Sequence, residues 1–475
     1  MKSLKGILFI VGVLVFSTLK IAHAEGVLLI VHTSQALAFH NILRNVAHVS
    51  VTPLLGDEIF EVKILSGNKE AVIETLQSLE GVTVTEDLPL PIQTQEIEFI
   101  SMDTPRPANL WWQKNDGSIK YKVVKYNDKI KKFDIVREIQ SVRGADINLP
   151  LAHSVERGDP SIIVGVIDSG LSLVHPAFQN SVYTNPFEIP ENGIDDDNNG
   201  YVDDIHGWNF ATNSPHVTDI VGHGTSVSGV IAGNTKGFQG VCPNCKVLPV
   251  IIQKEYTQES TSTTSTYLSS FLRAIDYLSR QGARIINMSF ILLGDKDKPA
   301  TLENPVTIIF YAGLRVLEKQ GVVLVAAAGN EGQNGNSTVY PAAFRNTISV
   351  GALNPLNTWA DFSNFGNWID IMAPGEEIWT TQPFGIINWH KLLFDPDNYV
   401  PGYSYQDGTS FAAPMVAGAA GLLLSHYPRM TPQDVHATLT HPSNTNYVRS
   451  LGKPNVRSLN VYRALVNPIY VSESF

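Results

Sequence analysis

The chain has 475 residues, 43% of them hydrophobic and 17% charged, and a formal net charge of −11. That length calls for more than one folding unit, and the balance supplies ample material for a core. The acidic surplus argues against a general nucleic-acid binder and for a soluble acidic protein.

In chain order, Lys2 and Lys5 lead into the apolar run "GILFIVGVLVFSTL", and "AHA" at Ala22–Ala24 offers a small-x-small cleavage site. Residues 1–24 are therefore expected to be a signal peptide cut before Glu25. The run is short for a bilayer anchor, and nothing later reaches about 18 clean apolar residues. The expectation is a secreted product, periplasmic or extracellular, with no membrane attachment after cleavage.

Residues 25–95 read as a small α+β unit. "GVLLIVH" is a strand, and Phe39, Ile42, Leu43 and Val46 recur at helical spacing. "HVSVTPLL" and "EIFEVKIL" are strands around a turn at Gly56. "NKEAVIETLQSLEG" is a helix with Val72, Leu76 and Leu79 on one face and Gly81 past its end. "VTVTEDLPL" is a last strand. The order βαββαβ is a ferredoxin-like pattern. Residues 96–150 hold a Pro-rich connector, "MDTPRPAN", and the Lys-rich stretch "KYKVVKYNDKIKKFDIVR". That stretch reads as a solvated linker or insertion, with a hairpin as the alternative.

From 151 to 475 short apolar runs alternate with helical segments. "SIIVGVID", "NCKVLPVII", "ARIINMSF", "GVVLVAAAGN" and "TISVGAL" are rich in Val and Ile. The alternation predicts an α/β fold, a mostly parallel sheet with helices on both faces. Sites in such sheets form at the carboxyl ends of the strands. The only two cysteines, Cys242 and Cys245, lie in "GVCPNC". In an oxidising compartment they are expected to form a local disulfide.

Four polar residues stand where chemistry is expected. Asp168 closes an apolar strand, where an unpaired carboxylate is costly. His223 lies between Gly222 and Gly224, which permit close backbone approach to a ligand. Asn330 ends "VVLVAAAGN" and could aim its N–H at a developing negative charge. Ser410 opens "SFAAPMVAGAAGLLL", a buried helix whose N-terminus favours negative charge. Pro414 is expected in the first turn of that helix. A hydroxyl nucleophile needs a base and an orienter, and His223 and Asp168 are the available types.

The order Asp, His, Ser, with Asn between the last two, is that of subtilisin. "VIDSG", "GHGTSVSGVIAG", "INMS", "AAAGN", "YPAAF", "FSNFGNWIDIMAPG" and "GTSFAAPMVAGAAGLLL" resemble, in order, the signature blocks of the subtilisin-like serine peptidases, the subtilases. They span about residues 160 to 425. The resemblance implies that Ser410 attacks the scissile carbonyl and that His223 moves its proton. It implies that Asp168 orients the imidazole and that Asn330 and the Ser410 N–H stabilise the oxyanion. It also implies that residues 25–95 are a propeptide, an intramolecular chaperone and inhibitor, with a mature N-terminus between about 91 and 150. One departure bears on specificity. The family's substrate-lining strand usually reads Ser, a large apolar residue, then Gly; here Ser289 and Phe290 fit, but Ile291 replaces the Gly.

"GIDDDNNGYVDDIHGW" sets Asp195, Asp197, Asn199 and Gly200 as D-x-D-x-N-G, which resembles the start of a calcium loop. Side-chain oxygens of Asp195, Asp197, Asn199 and one of Asp203 or Asp204, with the Tyr201 carbonyl, would form the shell. The alternative is a solvated acidic turn. The expectation is a secreted, monomeric, calcium-stabilised serine endopeptidase acting on proteins or peptides, made as a self-processing precursor. A narrow-specificity processing protease and a silent binding protein of the same fold are the rivals.

Overall fold

The computed structural model describes residues 28–33, 49–65, 69–79, 81–87, 89–93, 110–118, 120–127, 132–253, 263–292, 301–384, 400–449 and 452–471. The expected signal peptide, the helix expected around Phe39–Val46 and the "MDTPRP" connector lie outside these residues.

The small unit contains β1 (Leu28–Thr33), β2 (Val49–Leu55), β3 (Ile59–Ile64), α1 (Lys69–Gln77) and β4 (Val82–Glu86). Its strands form an antiparallel sheet in the order β2-β3-β1-β4. Period-2 alternation decides its two faces. Leu29 and Val31 of β1 point to a core with Phe60, Val62, Val72, Leu76 and Val84. Ile30, with Leu55 and Ile59, instead joins a cluster containing Leu272, Ile275 and Leu314 of the large unit.

The expected last strand, "VTVTEDLPL", divides in two. β4 stays in the small sheet. β5 (Pro89–Gln93) leaves it and pairs antiparallel with β11 (Thr263–Tyr267) and β13 (Ile291–Leu292) of the large unit. Proline cannot donate to a ladder. Pro89 and Pro91 fall where β5 pairs with β11 alone, and both partners flank only Ile92 and Gln93. Next to this crossing, the Asp87 carboxylate accepts bonds from the Ser269 N–H (3.0 Å) and hydroxyl (2.6 Å). It thereby caps α4 (Leu268–Arg280), whose own N-cap residue, Tyr267, makes no side-chain cap bond. The Lys-rich stretch takes the alternative form, a hairpin of β6 (Lys120–Asn127) with β7 (Lys132–Gln140).

The large unit is built on a nine-stranded sheet among the described residues. With β9 (Trp208–Asn209), β19 (Thr445–Tyr447) and β20 (Arg457–Leu459) at its edges, its order is β19-β20-β16-β15-β14-β12-β8-β10-β9. The central strands are β8 (Ile163–Asp168), β10 (Lys246–Ile251), β12 (Ala283–Met288), β14 (Val323–Ala327), β15 (Ile348–Leu353) and β16 (Ile371–Pro374). They pair parallel throughout. Both faces are covered, so the strands are apolar for most of their length. On β14, Val323, Val325 and Ala327 enter one core, and Leu324 and Ala326 the other. The first core lies against α3 (His223–Ala232) and α6 (Thr409–His426), the second against α4 and α5 (Pro305–Lys319).

The helix α6 is buried from Thr409 to Leu424. Small residues make that possible. A Cβ on Gly421 would lie 3.0 Å from the Cys245 sulfur and 3.1 Å from that of Cys242, so glycine there admits the two sulfurs, which sit at bonding distance. Pro414 is not in the first turn of α6; it is the sixth helical residue. Its missing N–H leaves the Ser410 carbonyl, four residues earlier, without its helical partner.

Candidate active site

β8 delivers Asp168 at its carboxyl end, and α3 begins on His223. His223 Nδ1 and Asp168 Oδ1 are 2.8 Å apart, and the Ser169 N–H donates to the same oxygen at 2.7 Å. Both side chains are buried, which excludes water from the pair. The two glycines beside His223 have local structural reasons. Gly222 has φ 101°, in the left-handed region. A Cβ on Gly224 would lie 2.3 Å from the Gly170 carbonyl oxygen, so bareness there lets the turn after β8 approach α3.

Ser410 is the second residue of α6, and its Oγ donates to the Ser289 carbonyl at 3.2 Å. The Ser289 hydroxyl donates in return to the Ser410 carbonyl at 2.9 Å, filling the acceptor that Pro414 leaves open. The Asn287 amide donates to that hydroxyl at 2.9 Å. The His223 ring packs on Phe411, the residue after Ser410, with centroids 5.5 Å apart. Asn330 accepts at its oxygen from the Thr409 N–H and hydroxyl, both at 2.9 Å. Its amide NH₂ is the end left to face the small cavity it lines with Ser289, Phe290, Ile291, Gly329 and Ser410. The Thr409 hydroxyl is occupied, since it also accepts from the Gly329 N–H at 3.0 Å.

β13 runs beside this site through Ile291, and β5 lies between β13 and β11. Ile291, the departure from the family pattern, pairs with Gln93, is buried and lines the cavity beside Ser410.

The acidic loop is arranged differently from its D-x-D-x-N spacing. The Asp195 carboxylate accepts from the N–H groups of Asn199 (3.0 Å) and Gly200 (2.9 Å). Asp203 accepts from those of Asn192 (3.1 Å) and Gly193 (3.0 Å). These two shape the loop. Asn199 donates its amide to Asp197 and Asp204, and the Tyr201 ring packs among Trp208, Phe210 and Tyr277. The carboxylates that converge are Glu188, Asp197 and Asp204, each with an oxygen within 4.8 Å of the others. Glu188 stands outside the acidic run, so its spacing gave no signal. Asp204 is fully buried; burial first, and then the charge of Asp197, pushes its carboxyl up to about 6.

A parallel sheet with Asp168, His223 and Ser410 at one end defines a class, and comparison with known proteins identifies it. The model of the subtilase family matches residues 159–459, more than half of the chain. A thermophilic serine proteinase of Bacillus sp. (strain AK1) is 34% identical over 278 residues, 58% of this chain and 55% of that protein. Subtilisin E of Bacillus subtilis (strain 168) is 32% identical over 311 residues, 64% of this chain and 67% of that protein. Among solved structures, fervidolysin from Fervidobacterium pennivorans, a keratinolytic enzyme, has a TM-score of 0.61 at 20% identity over 95% of this chain and 63% of its own. The epidermin leader peptide processing serine protease from Staphylococcus aureus has a TM-score of 0.56 at 21% identity over 93% and 98%. At such identities the two structures speak for the fold alone. The chain belongs to the subtilase family, and its class is that of the serine endopeptidases. Among the described residues, no helix is long and apolar enough to cross a membrane.

Proposed function

We propose that this chain is an exported serine endopeptidase that works through Ser410, His223 and Asp168 and is made as a self-processing precursor. The observation that carries the reading is the 2.8 Å contact between Asp168 and His223 beside the N-terminus of α6. Ser410 Oγ attacks the scissile carbonyl while His223 Nε2 takes its proton. Asp168 holds the Nδ1–H and stabilises the imidazolium. The oxyanion forms at the start of α6, where the Ser410 N–H and the Asn330 amide donate to it. His223 then protonates the leaving amine, and water, deprotonated by the same imidazole, releases the acyl group. A fluorophosphonate probe tests this. Mapping of the label to Ser410 is expected; no labelling of folded, processed protein would overturn it.

Residues 25–95 act as the propeptide in this reading. Support comes from β5, which runs antiparallel between β11 and β13, where an extended peptide substrate would add a strand. Calcium is the expected structural ion. Glu188, Asp197 and Asp204 supply hard oxygen donors, and their mutual repulsion in a buried setting is relieved by a cation. A narrow substrate range is a second reading, favoured by Ile291 lining the cavity beside Ser410.

A further inference from the structure

The start of α3 has a capping problem. Its N-cap is Gly222, which has no side chain to satisfy the first N–H groups of the helix. Asp219, three residues earlier and buried, supplies the acceptor. Its Oδ1 accepts from the N–H groups of Val221 (3.0 Å) and Gly222 (2.7 Å). Its Oδ2 accepts from the N–H (2.8 Å) and hydroxyl (2.6 Å) of Thr225. A fifth bond comes from the Ser169 hydroxyl to Oδ1 at 2.9 Å. A carboxylate suits this place, because every contact is a donor and the helix N-terminus favours negative charge.

The network does more than cap a helix. The Ser169 hydroxyl also accepts the Gly224 N–H at 2.8 Å. Both residues beside His223 are therefore fixed by Asp219, Gly222 directly and Gly224 through Ser169. Ser169 in turn donates its own N–H to Asp168 Oδ1, the oxygen that receives His223 Nδ1. A closed ring of hydrogen bonds runs from Asp168 through Ser169 and Asp219 to the turn that carries His223.

We propose that Asp219 is a positioning residue for the reaction, setting the reach and orientation of His223 relative to Asp168 and Ser410. The proposal rests on the catalytic reading above. An Asp219→Asn change would turn an NH₂ group toward donors on one side of the carboxyl, leaving N–H facing N–H or O–H. The turn would shift by a fraction of an ångström, and misplacement on the scale of 1 Å costs about 10²-fold.

The test is steady-state kinetics of the full, self-processed chain, normalised to active sites counted with a fluorophosphonate. For Asp219→Asn, kcat is expected to fall by roughly 10–100-fold with KM within about twofold. The acidic limb of the kcat/KM profile is also expected to move to lower pH, because His223 is held less firmly against the Asp168 charge. A merely structural residue would lower Tm and leave both readouts per active site unchanged, and that result overturns the proposal. Should Asp219→Asn fail to fold, Ser169→Ala breaks the same ring at its other member. A drop in kcat of about threefold or more is then expected, and no change overturns the proposal. His223→Ala separates the two readings. If it retains activity, the catalytic assignment fails; if it is dead while Asp219→Asn and Ser169→Ala match the parent, only the role of Asp219 fails.

Discussion

Beside His223, the carboxylates of Asp168 and Asp219 are buried among donors fixed by β8 and α3. In the loop from Glu188 to Asp204, three carboxylates face one another instead. The first arrangement holds its negative charge among hydrogen-bond donors. In the second, burial disfavours the charged form and the neighbouring Asp197 charge adds to that, which is why Asp204 resists ionisation. The same residue types thus build a hydrogen-bonded arrangement in one place and, in the reading proposed above, an ion-dependent brace in the other. The two should be separable by experiment.

The largest expected effect removes the chemistry and spares the brace. In subtilisin, loss of the serine costs about 10⁶ in turnover, and the same order is expected for Ser410→Ala here. The variant should also stay unprocessed, while its melting response to calcium is kept. Peptide hydrolysis assays and the intact mass of the secreted form check both points, and normal maturation without a helper protease would refute self-processing.

Asn330→Ala comes next. The loss of one oxyanion donor in subtilisin costs about 10²–10³ in turnover, and that range is expected here with the fold intact. If Asn330 served only to hold Thr409, Tm would drop and turnover per active site would barely change.

The loop can be broken while the site is spared. Chelation should lower Tm and hasten self-digestion without altering kcat per titrated site. A cation that binds only the native state stabilises it by about 2.7 kcal/mol at a hundredfold excess over Kd. Replacing Asp197 and Asp204 together with Asn should erase most of the calcium effect in a melting scan. Replacing Asp195 and Asp203 should leave the ligands in place and loosen only the loop. A full calcium response from the first pair of substitutions would put the ion elsewhere.

The smallest expected effect concerns His175, a buried polar group outside both regions. Its Nδ1 accepts the Ala177 N–H at 3.1 Å and its Nε2 donates to the Gly402 carbonyl at 2.8 Å, so the imidazole is held neutral. Burial lowers its pKa from 6.5. The folded state therefore binds the proton less well than the unfolded chain. The stabilisation is present above pH 6.5 and is lost as pH falls from there through the lowered value. Each unit of lowering is worth about 1.4 kcal/mol. Denaturant unfolding at pH 8 and pH 5 should show the loss, and His175→Asn should flatten that difference. An unchanged pH dependence in the variant would remove His175 from the account.

Much of the large unit was legible because a parallel sheet covered on both faces demands unbroken apolar strands, and such runs stand out in the sequence. Asp168, His223, Asn330 and Ser410 were legible because each follows or opens such an element. What escaped depends on contacts between distant segments. Glu188 meets Asp204 through turns whose left-handed residues, such as Asn198, Gly200 and Asp203, have no ligand-like period. The departure of β5 from the small sheet is decided by open edges on β11 and β13, not by the composition of "LPLPIQ". Pro414 was placed one turn too early, since the hydroxyl that compensates for it belongs to Ser289, more than a hundred residues away.

The insertion of β5 between β11 and β13 has a consequence in mass action. While the chain leading from β5 into the large unit is whole, that strand meets its partners as part of the same molecule, and dilution cannot displace it. A single cut in the chain beyond β5 would turn the same contacts into a bimolecular complex. Its occupancy would then depend on how concentrated the protein is, so under the proposed propeptide role a dense preparation would stay quiet and a dilute one would open.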